Sequence, residues 1–270
     1  MKDETKAKFE QICDMLSEKK VLVAFSGGVD SSVLAHISKR CAAETGLLTV
    51  VSPTVPERER TDARTIADEL GLELMEESFR WLEESNLVEN PVDRCYTCKR
   101  ALSKRWVEKS QKLQYDVVVE GTTSTETEGY RPGLAALKES GVESPYLKAG
   151  VNKAEIREYA REYGLSVAEK PSGACLATRF PYGTELTQER LRMVATVEQA
   201  VKEIFGVECV RARFHGDLVR VEVGADELPK MFESDKLKQL DNIAKDAGFT
   251  YVTLDIKGYR TGAMDEGLSS

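Results

Sequence analysis

The sequence predicts an α/β fold, in which a parallel sheet with helices on both faces precedes a smaller α+β domain. Apolar strand-like runs alternate with helical patterns through the first part of the chain, which is typical of right-handed βαβ crossovers. After residue 183 the order changes to a long helix, two strands, a helix and a last strand. We therefore predict one domain over residues 1–182 and a second over residues 183–270.

Four strand-like runs lie in the first domain. Three are rich in β-branched and aliphatic residues, as expected for strands buried on both faces, and the run at 72–79 is weaker. The four runs cover residues 21–25, 47–52, 72–79 and 116–120. The helical patterns between them begin at residue 30 and cover residues 57–70 and 98–113. Ligands of open parallel sheets bind beyond the carboxyl ends of the strands. The loops that start at Ser26, Ser52 and Gly121 are therefore expected at the binding edge.

Later elements are marked by caps and by changes of period. Asn152 and Glu155 form a capping-box-like start for a helix that is predicted to run to Tyr163 and stop at Gly164. The second domain is predicted to contain helices at 187–205 and 235–247 and strands at 208–214, 218–223 and 250–257. The tail after Gly262 is expected to be mobile.

A glycine turn follows the first strand-like run and opens a helix. Residues 25–34 read Phe-Ser-Gly-Gly-Val-Asp-Ser-Ser-Val-Leu. Gly27 and Gly28 permit positive φ and a close approach of the backbone to a ligand, and the N–H groups of the helix start face the turn. A P-loop would need a lysine where this chain has Asp30, and the dinucleotide fingerprint would need a third glycine. The turn thus predicts a different kind of anion site.

Residues 26–31, Ser-Gly-Gly-Val-Asp-Ser, resemble the PP-motif of the ATP pyrophosphatases. The resemblance implies that the loop holds the β,γ-pyrophosphate of ATP while the α-phosphate is attacked, which leaves an adenylylated substrate and pyrophosphate. The pyrophosphate ligands would be Ser26, Gly27, Gly28, Ser31 and Ser32. Asp30 would orient Mg²⁺. Ser52 is expected near the adenosine, and a plain strand-end serine is the alternative.

Composition narrows the class of protein. The chain has 270 residues, of which 41% are apolar and 31% are charged, as in ordinary soluble globular proteins. No apolar stretch approaches the roughly 18 residues that a membrane span needs, and no apolar signal region is present, so we expect a cytoplasmic protein with no membrane partner. A formal net charge of −8 argues against broad nucleic-acid binding, which depends on clustered Lys and Arg.

Six cysteines without a secretion signal indicate core residues, metal ligands or catalytic thiols rather than a disulfide framework. Cys95 and Cys98 form a C-x2-C that suits either a redox motif or half of a zinc site. Cys175 lies in a loop with Arg179 close by, and a nearby cation lowers the pKa of a thiol and can neutralise a phosphate. We expect the remaining three to be buried inside helices or strands: Cys13, Cys41 and Cys209.

Beyond the PP-motif, the chain resembles the LarE family, the sulfur transferases of nickel-pincer nucleotide biosynthesis, over nearly its full length. The resemblance is carried by residues 26–32, 130–133 (Tyr-Arg-Pro-Gly), 171–179 with Ala-Cys-Leu-Ala-Thr-Arg, 210–215 (Val-Arg-Ala-Arg-Phe-His) and 251–261. It implies that ATP adenylylates a carboxylate of a pyridinium dicarboxylate mononucleotide, and that sulfur then replaces the activated oxygen. Adenylylation of the carboxylate is needed because oxide is too poor a leaving group for sulfur to displace directly.

The resemblance implies one of two sulfur sources. In one branch of the family a lone cysteine at the position of Cys175 gives up its own sulfur. In the other branch three cysteines hold a [4Fe-4S] cluster that carries an extra sulfide, which requires a sulfide donor. Cys95 and Cys98 accompany Cys175 here, and three thiolates would leave one iron open to an external sulfide. We therefore predict the cluster branch, with Cys175 and Arg179 as the catalytic residues.

Arginines of the second domain are candidates for binding the substrate's phosphate. Arg211 and Arg213 alternate along a predicted strand, so their guanidinium groups share one face and suit a bidentate clamp. Arg260 lies in a Gly-Tyr-Arg-Thr-Gly loop that suits contact with an anion. A solvated sheet face is the alternative. In the first domain, the loop at 123–129 departs from the family pattern, with Glu126 and Glu128 in place of paired aspartates.

Other functions fit part of the sequence. A tRNA thiolase also combines a PP-motif, a C-x2-C and a distant cysteine, but the acidic balance and the lack of a recognisable RNA-binding module weigh against it. In an amide-forming enzyme such as an amidotransferase or NAD synthetase the cysteines would be bystanders, and a nonenzymatic iron–sulfur carrier would leave the phosphate loop without a purpose. Because LarE family members assemble as trimers or hexamers, the resemblance allows a homo-oligomer.

Overall fold

The computed structural model describes residues 1–127, 132–171, 173–260 and 263–264. Residue contacts divide the chain into two compact units. The first unit is Met1–Ser52, Glu57–Phe79 and Asp93–Gly173. The second is Pro53–Pro56, Arg80–Val92 and the described part of Ala174–Ser270. The domain boundary after residue 182 stays a prediction.

The helices and strands follow the predicted order. Strands β1 to β7 are Lys20–Ala24, Glu44–Val51, Leu74–Ser78, Val117–Val119, Val210–His215, Leu218–Val223 and Tyr251–Leu254. Helices α1 to α10 are Asp3–Leu16, Val29–Cys41, Glu57–Leu70, Ser85–Val88, Arg94–Leu113, Pro132–Ser140, Pro145–Ala149, Lys153–Glu162, Gln188–Phe205 and Ser234–Asp246. Among the residues described, none of these helices is long and apolar enough to cross a membrane.

The first unit contains a parallel four-stranded sheet in the order β3-β2-β1-β4. Val21 and Val23 of β1 pack into a core that α1, α2 and α8 share. Leu22, on the other face of the same strand, packs with Trp106 of α5 and Leu137 of α6. The prediction of a parallel sheet covered on both faces is therefore confirmed. Because β1 is a central strand, the glycine turn after it lies at the middle of the carboxyl edge.

The second unit contains a mixed three-stranded sheet in the order β5-β6-β7, in which β5 and β6 are antiparallel and β6 and β7 are parallel. Helix α9 packs on β5, and α10 packs on α9 and β7. Val219, Val221 and Val223 are buried along β6. This small α+β arrangement confirms the predicted fold class of the C-terminal region.

Several elements differ from the predictions. Helix α5 begins at Arg94 rather than Cys98, so Cys95 and Cys98 lie inside the helix. Helices α1, α4, α6 and α7 have no counterpart among the predicted elements. Three of them are shorter than three turns, whereas α1 has a helical spacing of Phe9, Ile12 and Leu16 that the prediction missed.

The three cysteines predicted to be buried in helices or strands differ from that prediction. Cys13 of α1 and Cys41 of α2 form a disulfide with their Cα atoms 5.3 Å apart, and both are half-buried rather than buried free thiols. The pairing depends on the packing of α1 against α2, which no local pattern shows. Cys209 is half-buried just before β5, where burial raises the pKa of its thiol.

His36 of α2 packs against two tyrosines. Its Nδ1 lies 3.1 Å from the hydroxyl of Tyr159, and its ring contacts Tyr163. Burial, and then the charge of Arg40, lowers the pKa of His36. Since the folded pKa lies below the unfolded value of about 6.5, this contribution to stability is present above that pH and is lost as the pH falls through it.

When the pH is lowered from 7.5 to 5.5, we therefore expect the free energy of unfolding to fall less in His36→Phe than in the wild type. Urea denaturation at both pH values measures this difference. His215→Gln should be measured beside it, because burial also lowers the pKa of His215 and this variant gives the share of the pH dependence that His215 contributes. Equal losses in the wild type and in His36→Phe would contradict the assignment.

Candidate functional site

The loop between β1 and α2, which we call the glycine loop, contains a glycine in the left-handed region of φ. Gly27 has φ +68°, and a Cβ atom on it would lie 2.6 Å from the Cα atom of Ala63 in α3. Gly28 is the N-cap of α2, so no side chain of its own occupies that position. The N–H groups and the positive dipole end of α2 therefore point to the loop, which favours a bound anion.

Serine hydroxyls fix the loop from inside. The N–H of Ser26 donates to Oγ of Ser31 over 3.2 Å, and the two hydroxyl oxygens lie 3.1 Å apart. Ser31 Oγ also donates to the carbonyl of Gly28 over 3.2 Å. Ser32 is buried, and its hydroxyl has no hydrogen-bond partner among the residues that the structure describes. A buried hydroxyl of this kind fits a ligand oxygen at the loop.

Asp30 lies in the first turn of α2 and is held from two sides. Its backbone carbonyl accepts a hydrogen bond of 3.0 Å from the hydroxyl of Tyr146, whose burial raises its pKa well above the ordinary value. Its carboxylate accepts a hydrogen bond from Lys153 Nζ. A Cβ atom on Gly121 would lie 3.0 Å from Asp30 Cβ, so the loop after β4 meets the glycine loop here. A partly exposed carboxylate at this position suits Mg²⁺ in its chemistry.

Two lysines that were not predicted as site residues contact the glycine loop. Lys153 is the first residue of α8 and pairs with Asp30. Lys170 Nζ donates to the carbonyl of Gly27 over 2.9 Å and pairs with Asp62 of α3 over 2.9 Å. Both lie more than a hundred residues beyond the loop in sequence, so only the folded chain brings them to it.

The loop after β4 is held by a buried carboxylate. Glu120 accepts hydrogen bonds from the hydroxyl of Thr122 over 2.7 Å and from the hydroxyl of Ser144 over 2.5 Å. Of the predicted aspartate replacements, Glu128 and the side chain of Glu126 lie outside the described residues. Tyr130, Arg131, Thr261 and the tail after Gly262, apart from 263–264, also lie outside them. The role of this loop stays a prediction.

Ser52 is buried directly after β2, which pairs with β1 in parallel. It therefore lies at the same edge of the sheet as the glycine loop, as predicted. Its contact with adenosine stays a prediction.

The three cysteines of the predicted cluster divide between the two units. Cys95 and Cys98 lie one turn apart at the start of α5, where the first turn has no acidic residue, and Cys95 is exposed. Cys175 is exposed in the second unit, directly before the turn Leu176–Arg179. Within the described residues, no group of three or more His, Cys, Asp or Glu side chains is arranged to hold a metal ion. The cluster ligand set therefore stays a prediction.

Arg179 is buried, with only 2% of its surface exposed. Its Nε and Nη2 donate to the two carboxylate oxygens of Glu198 over 2.6 and 3.0 Å. Nη1 donates to the carbonyl oxygens of Ala174 and Cys175 over 3.1 and 3.3 Å. The guanidinium therefore holds the backbone of the Cys175 turn, a positioning role that the sequence analysis did not anticipate. Its predicted catalytic role stays a prediction.

Five arginines surround three carboxylates in the second unit, and we call this set the arginine cluster. Its members are Arg179, Arg211, Arg213, Arg220 and Arg260, with Glu198, Glu222 and Asp255. Guanidinium groups are donors that suit carboxylate and phosphate oxygens, so the set offers binding groups for an anion.

Contacts within the cluster distinguish its arginines. Arg213 is buried on Glu222, at 2.8 Å, and also donates to the carbonyl of Thr178 over 3.0 Å. Arg211 lies over the ring of Tyr259 at 5.1 Å, and burial, followed by the charge of Arg179, lowers the pKa of Arg211.

Arg220 links two carboxylates of the cluster. Arg220 joins Glu222, at 2.7 Å, to Asp255, at 2.5 Å. Burial alone would raise the pKa of Asp255, but the N–H of Lys257 and the guanidinium of Arg220 hold it below the ordinary value. Arg260 lies 3.5 Å from the same carboxylate. The alternation of Arg220 and Glu222 on β6 was the signal that could have revealed this network from sequence.

The chain is similar in sequence to several known proteins. A model of the NAD synthase family matches residues 3–85, which include the glycine loop. An uncharacterized protein of Synechocystis sp. is 32% identical over 97% of this chain and 98% of its own length. The pyridinium-3,5-bisthiocarboxylic acid mononucleotide synthase of Lactiplantibacillus plantarum is 31% identical over 93% of this chain and 91% of its own length. The chain belongs to the LarE family.

This LarE family member is an ATP-dependent sulfurtransferase with a PP-loop domain. Its glycine loop is the PP-loop, as the resemblance of residues 26–31 implied. A tRNA-specific 2-thiouridylase of Chlorobium luteolum is also similar, at 27% identity over 63% of this chain and 55% of its own length. The lower identity and shorter coverage favour the LarE family over the tRNA thiolases.

Proposed function

We propose that this LarE family member adenylylates a carboxylate of pyridinium-3,5-dicarboxylate mononucleotide and replaces its oxygen by sulfur, for nickel-pincer cofactor synthesis. The observation that carries the proposal is the similarity to the mononucleotide synthase over nine-tenths of both chains. The PP-loop and the arginine cluster support it, because each offers positive groups to a phosphate-bearing ligand.

The first step belongs to the PP-loop. A carboxylate oxygen of the substrate attacks the α-phosphorus of ATP, the bond to the bridging oxygen breaks, and pyrophosphate leaves. The N–H groups at the start of α2 and the hydroxyl of Ser32 would hold pyrophosphate. The former lie at the loop, and the latter is buried with no hydrogen-bond partner among the described residues. Asp30 would hold Mg²⁺, which supplies charge neutralisation on the phosphate oxygens when it is bound.

The arginine cluster would hold the mononucleotide's phosphate. It gathers five guanidinium groups, which suit the oxygens of a phosphate. Arg211, Arg213 and Arg260 were predicted for this role. Arg213 is committed to Glu222 and to Thr178, so it would act mainly by adding charge and by fixing the turn.

Sulfur enters in the second step, in which a sulfide sulfur attacks the acyl carbon and AMP leaves with the oxygen. We propose that Cys95, Cys98 and Cys175 hold a [4Fe-4S] cluster, which would supply the sulfide and be recharged by a sulfide donor. Two of the three thiols are exposed, and thiolates are the ligands that such clusters prefer. In the alternative branch Cys175 itself gives up its sulfur once per chain. A trimer or hexamer remains a prediction.

The test is anaerobic reconstitution with iron and sulfide, followed by ATP and pyridinium-3,5-dicarboxylate mononucleotide. We expect about four irons per chain, an iron–thiolate absorption band and thiocarboxylate product over several turnovers. Cys95→Ala, Cys98→Ala and Cys175→Ala should each lose iron and turnover. Cys209→Ala is the matched control, since this half-buried cysteine lies outside the proposed ligand set.

Other outcomes separate the alternatives. One product per chain, without iron and with conversion of Cys175 to dehydroalanine, would support the sacrificial branch. Thiolated tRNA in place of the mononucleotide product would support the tRNA thiolase. Loss of AMP formation in Asp30→Ala with iron retained would exclude a nonenzymatic carrier.

A further inference from the structure

The PP-loop lacks the lysine that P-loops carry within the loop, and the fold brings a lysine to the same place from elsewhere. Lys153 Nζ donates to Oδ2 of Asp30, across 123 residues of sequence. The other lysine at the loop, Lys170, is occupied by the carbonyl of Gly27 and by Asp62. Among the described residues, Lys153 pairs with Asp30 alone, and Mg²⁺ is the second expected partner of that carboxylate.

The backbone of Lys153 is held rigidly, whereas its side chain is accessible. Asn152 Oδ1 accepts from the N–H of Glu155 over 3.0 Å, and Glu155 Oε2 accepts from the N–H of Asn152 over 2.8 Å. Lys8 holds the same Glu155 carboxylate at 2.7 Å. The side chains of Lys153 and Asp30 are 33% and 27% exposed, so a ligand at the loop can reach both.

We propose that Lys153 binds a β- or γ-phosphate oxygen of ATP, and that it holds Asp30 only until nucleotide and Mg²⁺ arrive. The inference rests on ATP binding at the PP-loop. An ammonium group and Mg²⁺ would compete for the same carboxylate, so Mg²⁺ at Asp30 would free Lys153 beside the phosphate cradle. A lysine ammonium is a mobile point charge that suits a phosphate. The backbone of Lys153 stays in place at the start of α8, so rotation of its aliphatic side chain is the movement that this requires.

Calorimetry with α,β-methylene-ATP, in which the attacked linkage cannot break, tests the proposal. Lys153→Met should weaken binding of this analogue at saturating Mg²⁺ by about tenfold to a hundredfold, as expected for the loss of one charge-assisted hydrogen bond. Binding of AMP, which lacks the β- and γ-phosphates, should not change. The Mg²⁺ concentration that gives half-maximal analogue binding should fall, because the competing ammonium is gone.

Lys148→Met is the matched control, since Lys148 lies in the same unit and its exposed side chain pairs with Glu143. It should bind the analogue as the wild type does. Lys153→Arg should keep most of the affinity, and Lys153→Gln replaces the methionine variant if that variant does not fold.

Two outcomes would overturn the proposal. Wild-type affinity for the analogue and an unchanged Mg²⁺ midpoint in Lys153→Met would show that the lysine only pairs with Asp30. Equal weakening of AMP and of the analogue would show a structural role. If the wild type itself does not bind the analogue, nucleotide binding at the loop fails together with the proposed function, which is a distinct result.

Discussion

Gly27→Ala is expected to abolish binding of the ATP analogue and to lower the free energy of unfolding by about 2–4 kcal/mol. Gly27 has φ +68°, a region that L-residues avoid, and its Cβ would lie 2.6 Å from Cα and 2.9 Å from N of Ala63. Both atoms are backbone, so α3 or the loop would have to move. Either movement disrupts the arrangement of N–H groups at the start of α2.

Gly28→Ala is the matched control for this prediction. Gly28 has φ −82°, and a Cβ atom on it would meet only Ser26 Oγ at 3.4 Å, an ordinary contact. Its cost should stay below about 1 kcal/mol, as for alanine at an N-cap. Urea denaturation and calorimetry on both variants measure the difference. A Gly27→Ala protein with wild-type stability and affinity would show that the loop can shift away from α3 at no cost.

Residues that are adjacent in sequence were predicted well, because the physics that marks them is local. The buried run before Ser26, the two glycines and the helix start together predicted both the central strand and its anion site. The capping box of Asn152 and Glu155 predicted the start of α8 to within one residue. These signals need no information from distant parts of the chain.

Contacts between residues that are distant in sequence could not be predicted from local patterns. Lys153 is an ordinary helix-start lysine until α8 packs beside α2 and places it on Asp30. The disulfide of Cys13 and Cys41 likewise depends on the packing of α1 and α2. Arg179 was selected as a cation beside Cys175, but its partner Glu198 lies 19 residues away and is defined only by the packing of α9. Local patterns select the residues, whereas tertiary packing decides what they do.

Arg179→Met is the second large effect that we expect, with a loss of about 3–5 kcal/mol in the free energy of unfolding. The substitution leaves the buried Glu198 carboxylate with the N–H of Ala212, at 2.9 Å, in place of a bidentate guanidinium. A buried carboxylate without its charge partner is strongly destabilising, because desolvation is no longer offset. The carbonyls of Ala174 and Cys175 lose their donor as well. Sulfur transfer should therefore fall with stability.

Two further variants separate the effect of Arg179 on stability from its effect on the position of Cys175. Lys245→Met is the control for loss of one cation, since its exposed pair with Asp241 contributes at most about 1 kcal/mol. Arg179→Met combined with Glu198→Leu should recover part of the stability, because the uncompensated carboxylate is gone. Sulfur transfer should stay low in this double variant, since the turn that carries Cys175 still lacks its donor. Restored transfer together with restored stability would show that Arg179 acts on Glu198 alone and does not position Cys175.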